Sequence, residues 1–317
     1  MPYNNIISRT DAQALMPEEV ASDIIKRLPQ TSAAIALFRH IAMSRAQMRL
    51  PVMAALPVAY FVNGDTGLKQ TSEAAWGNKF LNVEEIAAIL PIPEAVLDDA
   101  SFDIWAETRP FLAEAVGRTL DAAVFFGTNK PATWPTDIVS AATAAGNVVT
   151  EGTNTAEEGG VTGDVSDLFS KVEGQGYDVN GIIAQRRFKG LLRQARATTG
   201  EQLADQSGSS GIDQPTNQLY GVDVTYPLRG LWPTGTGAAE MVAGDFTQGI
   251  LGIRQDLSWK ILDQAVLTDN TGVVTYNLPQ QDMVALRVVA RFAWQVAQTP
   301  EPENISGAYP FAVMKEA

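Results

Sequence analysis

The sequence predicts an α+β protein that reaches beyond its own core, and three patterns carry that reading. A helix-period run extends from Phe102 to Phe126, which at ~1.5 Å per residue makes a strut roughly 37 Å long. Near the C-terminus Val284, Leu286, Val288, Ala290, Phe292, Trp294 and Val296 place an apolar residue at every second position. At ~3.3 Å per residue this strand is roughly 40 Å long, about twice the usual length. Between Met48 and Glu85, strand-like pieces flank the polar turn Asn63-Gly64-Asp65-Thr66-Gly67, predicting a long hairpin excursion.

The elements follow in order. After a polar tail, Pro17 suits a first helical position, with Glu18 and Glu19 near the positive end of the helix dipole. Val20, Ile24, Ile25 and Leu28 form its apolar face, and Pro29 ends it. Ala33 to Met43 is apolar and reads as helical or extended. A free-standing helix this short is marginal in water, so an N-terminal arm that packs on something else is expected. In the hairpin, Leu50-Pro51-Val52, Ala59-Tyr60-Phe61-Val62 and Phe80-Leu81-Asn82-Val83 are the strand pieces. Two strands alone bury too little to be stable, so the hairpin needs a neighbour.

The long helix has Ser101 as its expected N-cap and Gly127 as its expected C-cap. Its apolar positions are Ile104, Trp105, Phe111, Leu112, Ala115, Val116, Leu120 and Val124. Glu114 and Arg118 make an i,i+4 pair on the polar side, and Pro110 kinks or restarts the helix. Residues 131–163 are Pro-, Ala-, Thr- and Gly-rich, with Glu151-Gly152-Thr153-Asn154 reading as weakly ordered. A short helix carrying Val165, Leu168, Phe169 and Val172 follows, then a strand Gly181–Ala184 and a helix Arg187–Arg196. Residues 200–218 form a Gly/Ser/Gln-rich loop, and from Leu219 onward the reading is mostly strand.

Composition narrows the chemistry. The 317 residues, 45% of them hydrophobic, suffice for about two domains. Cysteine is absent, which excludes disulfides and thiolate metal sites, and His40 is the only histidine. With 23 Lys+Arg against 36 Asp+Glu the formal net charge is -13, the opposite of a phosphate-gripping surface. The N-terminus lacks the basic-then-apolar order of a signal peptide, and the apolar stretch Ile86–Pro93 is too short to span a bilayer. A soluble protein folded inside the cell, with no membrane partner, is the expectation.

No constellation for catalysis emerges, and neither a cofactor nor a metal is expected. Gly235-Thr236-Gly237 has a nucleotide-loop spacing but lacks the flanking strand and helix, which favours a plain loop. Arg186, Arg187, Lys189, Arg193 and Arg196 could face phosphate, but read better as the solvated side of an amphipathic helix. The neighbouring carboxylates Glu84/Glu85 and Asp98/Asp99 point apart on any regular element. His40 lies in an apolar stretch without a nearby nucleophile, and Asn304-Ile305-Ser306 lacks the secretory context a glycosylation site needs. A carboxylate-dependent hydrolase is the rival from another class and requires a concave site that excludes water. A hairpin, an arm, a strut and a long strand suit a protein completed by copies of itself.

Several segments together resemble one family. Gly244-Asp245-Phe246 followed by Gly249-Ile250-Leu251-Gly252-Ile253-Arg254 is similar to a strand pair of tailed-phage major capsid proteins. So are Asp282-Met283-Val284-Ala285-Leu286-Arg287 with Arg291-Phe292-Ala293-Trp294, Ile92–Ser101 before the long helix, and Gln214-Pro215 with Gly221-Val222-Asp223-Val224. The resemblance runs in order from about residue 45 to 312. It implies the α+β capsid fold named after phage Hong Kong 97, also seen in encapsulins.

Under it, residues 1–47 are an N-terminal arm crossing to a neighbour and 48–85 an extended loop lying on a neighbouring subunit. Residues 86–130 and 256–317 form a peripheral domain with a spine helix, and 131–255 an axial domain. The implied role is a major capsid protein forming pentamers and hexamers around double-stranded DNA without sequence-specific binding. Scaffolding, portal and decoration proteins are the further implied partners, and the virion, assembled in the host cytoplasm, the location. An encapsulin-type nanocompartment is the alternative within the fold.

Some family members crosslink a loop Lys to an Asn with a Glu as base. The positions that match here hold Asp282 and Val289, which offer neither the amide nor a base, so Lys69 and Lys79 have no partner and no crosslink is expected. An acidic wall would not hold the packaged genome, while contacts between like-charged subunits must pair charges locally. Lys69, Glu73, Trp76, Lys79, Arg287 and Arg291 are the expected contact residues.

Overall fold

The computed structural model describes residues 32–57, 59–62, 69, 71–72, 75–100, 103–194, 218–227, 230–269, 271–299 and 309–317. The predicted helix at Pro17–Leu28, the turn Asn63–Gly67, Glu73 and Ser101 lie outside them. Helix α1 (Ala33–Leu37) and strand β1 (Arg39–Ala42) precede the hairpin strands β2 (Gln47–Ala55) and β3 (Ala75–Asn82). Next come β4 (Glu84–Pro93), α2 (Glu94–Asp99) and the long helix α3 (Ile104–Phe126). The middle holds α4 (Ile138–Ala144), β5 (Val148–Thr150), α5 (Val161–Glu173), β6 (Gly181–Ala184), α6 (Phe188–Gln194), β7 (Gln218–Leu219) and β8 (Val222–Thr225). The last part holds β9 (Ala239–Gly244), β10 (Gly249–Leu262), β11 (Val266–Thr268), β12 (Val274–Asn277), β13 (Met283–Val296) and β14 (Phe311–Lys315).

Two main sheets result. One has four strands in the order β1-β10-β13-β4, the other six in the order β5-β14-β9-β6-β8-β7. β13 is the long strand its alternation predicts, 14 residues in all, antiparallel to both β10 and β4. Val288, Ala290, Phe292, Trp294 and Val296 enter one core with Val116, Leu120 and Val124 of α3. The residues between them form the other face of the sheet.

The Gly-Asp-Phe segment is the joint between the sheets, since β9 ends at Gly244 and β10 begins at Gly249. A Cβ on Gly244 would lie 2.3 Å from the Pro310 carbonyl oxygen, and one on Gly249 would lie 2.5 Å from the Phe38 ring, so both positions need glycine. Asp245 holds the joint by accepting from the Thr247 N–H at 3.0 Å and from Asn180 Nδ2 at 2.5 Å.

α3 differs from its prediction in three details. Its N-cap is Asp103, which accepts from the N–H groups of Trp105 and Ala106 at 2.9 and 3.1 Å. Pro110 is the seventh residue of one continuous helix, so the helix does not restart there, and its missing N–H leaves the Ala106 carbonyl without that bond. Glu114 is buried rather than on the polar side, and meets Arg118 at 3.0 Å. Gly127 closes the helix at φ 69° as expected.

The arm region begins on its own subunit. Ser32 Oγ donates to Asp121 of α3 at 2.6 Å, and the N–H groups of Ala33 and Ala34 donate to the same carboxylate at 2.9 and 3.0 Å. Asp121 is fully buried, and burial pushes its pKa up to about 6 against the lowering by those three bonds. The turn Glu151–Asn154, read as weakly ordered, is held by buried Asp164, which accepts from Gly152 and Asn154 N–H at 2.8 and 2.9 Å. Within residues 256–317, β14 pairs with β9 and β5 in the six-stranded sheet, and β10 runs across residue 256.

Candidate assembly surfaces

The hairpin has two unlike faces because its side chains alternate across the ribbon. On the inner face Leu81 is fully buried with Met43, Ile250 and Ala293, backed by Met48, Leu50 and Val83. Lys79 Nζ donates to Gln298 Oε1 at 2.5 Å, and Gln295 Nε2 donates to the Phe80 carbonyl at 3.2 Å. Trp134 Nε1 reaches the Asn82 carbonyl at 3.1 Å. The hairpin's root is therefore part of the subunit. On the outer face Trp76 is 69% and Phe80 45% exposed, opposite Met53 and Arg49 of β2. Further out, Tyr60, Phe61 and Val62 are also exposed. An apolar row open to water on one element marks an interaction surface.

The predicted contact residues divide. Lys69 is exposed, while Glu73 is outside the described residues. Lys79 turns inward, and burial lowers its pKa. It lines a cavity of about 490 Å³ with Gln175, Gln295, Gln298 and Tyr309, and no carboxylate is among the lining residues. Arg291 pairs with Glu85, directly opposite on β4, through Nε at 2.8 Å and Nη2 at 2.6 Å. Arg287 stands between Lys260 on β10 and Ile89 on β4, and its buried Nε has no hydrogen-bond partner among the described residues. Two cations directly opposite each other are unfavourable until an acid joins them.

Asp282 precedes β13 at φ 48°, and its carbonyl accepts from the Glu94 N–H at 2.9 Å. Val289 is 8% exposed within the sheet. Glu84 and Glu85 do point apart, the first accepting from Thr133 Oγ1 at 2.5 Å and the second from Arg291. Gly235 and Gly237 form a turn that leads into β9, not a helix.

Two members of the basic run before and within α6, Arg187 and Lys189, are engaged within the subunit, while Arg196 lies outside the described residues. Lys189 lies 4.0 Å from the Tyr226 ring centroid, and Arg187 binds Glu151, Glu240 and Glu316. Sequence reading missed this cluster because the carboxylates lie 36, 53 and 129 residues away from Arg187. Among the described residues no group of three or more His, Asp or Glu side chains is arranged to hold a metal ion, and no helix is long and apolar enough to cross a membrane.

A two-sheet α+β body with a rooted, outward-facing apolar hairpin defines an assembly subunit. The family model of the phage capsid family matches residues 12–300, and the chain belongs to that family. It is 26% identical over 299 residues to the major capsid protein of Staphylococcus phage 80alpha, covering 93% of this chain and 85% of the relative. A solved chain of Microbacterium phage Oxtober96 superposes with a TM-score of 0.85 at 38% identity, covering 99% of this chain and 100% of that one. One of Mycobacterium phage Bobi gives 0.84 at 30% identity, with 99% of each chain covered. The capsid of a native GTA particle shares the fold, with a TM-score of 0.70 at 18% identity over 99% of this chain and 100% of that one. The α+β capsid fold and the role of a phage capsid protein follow.

Proposed function

We propose that this chain is the major subunit of a tailed-phage head, self-assembling into pentamers and hexamers that enclose double-stranded DNA. The observation that carries the proposal is the two-faced hairpin: its inner face is rooted by Leu81, and its outer face presents Trp76 and Phe80 to water. A sister subunit supplies the missing cover. The four-stranded sheet with α3 serves as the peripheral domain and the six-stranded sheet, with β14 included, as the axial domain. Residues 1–47 serve as the N-terminal arm, tied to their own subunit at Ser32.

In this reading Glu73, which lies outside the described residues, is the acid offered to Arg287 and Lys260 of a neighbouring subunit, two opposed cations without an ion pair among the described residues. Lys79 and Arg291 are engaged within their own subunit and frame the contact instead. The role is structural, without catalysis or a cofactor. The particle is assembled in the host cytoplasm with scaffolding, portal and decoration proteins as partners. The acidic chain, at -13, encloses its DNA without gripping it.

Negative-stain microscopy of the purified full chain, and of particles from lysed hosts, tests the proposal. Closed shells that contain DNA are expected. A chain that remains a small oligomer under every assembly condition, or shells filled only with protein cargo, would overturn it. Denaturing gels of mature particles should show single-subunit bands, since Asp282 and Val289 cannot support isopeptide chemistry. Covalent ladders would contradict that.

A further inference from the structure

Four adjacent strands of the six-stranded sheet meet at one edge, and a charged residue stands at each. Glu151 follows β5, Glu316 follows β14, Glu240 is the second residue of β9 and Arg187 comes shortly after β6. One guanidinium reaches all three acids: Nη1 donates to Glu316 at 2.7 Å, and Nη2 donates to Glu151 at 3.2 Å and to Glu240. The backbone closes the same corner. The N–H of Gln185 donates to the Glu240 carbonyl, that of Glu151 to the Lys315 carbonyl and that of Glu316 to the Ala238 carbonyl, each at 2.8 Å.

The charges do not balance, since three carboxylates face one cation. Glu240 is 1% exposed, and its Oε2 has no hydrogen-bond partner among the described residues. A buried carboxylate with an empty oxygen beside a second carboxylate is satisfied most simply by one proton on the pair. We infer that Glu240 and Glu151 form a proton-binding pair, clamped by Arg187, that tightens this end of the sheet while the proton is held and loosens it when the proton leaves. This goes beyond the assembly reading and is independent of it.

The electrostatics agree. Burial first, and the contact with Glu151 second, push the Glu240 carboxyl up to about 7, while Arg187 pulls the other way. The charged groups facing Glu240 are Arg187 from the end of β6, Glu151 from the end of β5 and Glu316 from the end of β14; Arg186 and Lys315 adjoin them in sequence. The unfolded carboxyl titrates near 4.5, so the folded corner holds the extra proton between about pH 4.5 and 7. Its stabilisation is therefore present at mildly acidic pH and is lost as pH rises through 7. The element at stake is β14, which sits between β5 and β9.

Hydrogen exchange of the full-length chain between pH 6 and 8.5, corrected for the intrinsic pH dependence of exchange, tests this. Peptides covering 237–244 and 309–317 are followed against 283–296 as an internal reference. Protection at the corner should fall about tenfold relative to the reference over that range. Glu240→Gln should remove the pH dependence while leaving the corner protected, and an unchanged pH profile in that variant overturns the inference. Should Glu240→Gln fail to fold, Glu151→Gln gives the second reading. It removes the neighbouring negative charge, so the midpoint should move below 7, and an unmoved midpoint rejects the pair.

Discussion

In the six-stranded sheet, β6 and β9 are buried at every residue, and even the charged groups at their ends are gathered by Arg187. The hairpin and the far half of the four-stranded sheet behave differently. β3 alternates between half-buried and exposed residues up to the buried Leu81, β10 is buried for its first four residues and open in part thereafter, and β12 is exposed at three of four positions. Thirteen large hydrophobics are exposed among the described residues, and only Tyr220 lies in the six-stranded sheet region. The others lie on the hairpin, α2, the outer half of the four-stranded sheet and the β11–β12 ribbon. One half of the chain satisfies itself, while the other is built to be finished by neighbours. Buried area in a subunit therefore shows where its own fold ends, and exposed apolar area shows where the lattice begins.

The sharpest way to break this comparison uses three residues of β3, two on its outer face and one on its inner face. Replacing Trp76 and Phe80 together by Asp should abolish closed shells in micrographs. The melting temperature of the free chain should move by no more than about 2 °C, because Trp76 is mostly exposed and Phe80 nearly half exposed. Leu81→Ala should do the reverse. It empties a fully buried site and should cost about 2–5 kcal/mol of chain stability in denaturant unfolding. If the Asp pair also melted the subunit, the outer face would be part of the fold and the division would fail.

How much of this was legible beforehand follows the range of the interactions. β13, α3 and the hairpin were readable because period-2 and period-3.6 patterns are local. Gly127 announced itself as a cap, but Asp103 displaced Ser101 as N-cap because Asp103 sits two and three residues before the N–H groups it caps. The tie of Ser32 to Asp121, the pair Glu85–Arg291 and the Arg187 cluster span dozens to hundreds of residues. Nothing local marks them. Lys79 and Arg291 read as candidates for contacts between subunits for that reason, and the pairing of β14 with β9 was not legible because a five-residue strand carries no mark of its partner. The six-residue joint Gly244–Gly249 was recognisable as a recurring segment, but only the packing of Pro310 and Phe38 explains its glycines.

The anchored root of the arm gives a pH test of intermediate size. Burial lifts Asp121 from 3.8 to about 6, so the folded chain holds a proton that the unfolded chain has released between those values. Stability from this group is greatest below about pH 4 and declines as pH rises to about 7, by at most ~3 kcal/mol. Asp121→Asn should flatten that part of the curve in urea unfolding at stepped pH. A wild-type chain that instead gained stability from pH 4 to 7 through this site would show that the three hydrogen bonds outweigh burial. The arm would then be anchored through a charged carboxylate.

The smallest effect separates the two arginines of β13, which share a face but not a role. Arg291 and Glu85 are each close to half exposed, and such pairs contribute about 0.2–1 kcal/mol. A double-mutant cycle with Arg291→Ala and Glu85→Ala on the free chain should return a coupling in that range, and shells should still form. The same cycle with Arg287→Ala and Glu73→Ala should return no coupling on the free chain and a measurable one only in assembled particles. Coupling between Arg287 and Glu73 already present in the free subunit would place both within one molecule. The open half of the comparison would then be closed by the chain itself.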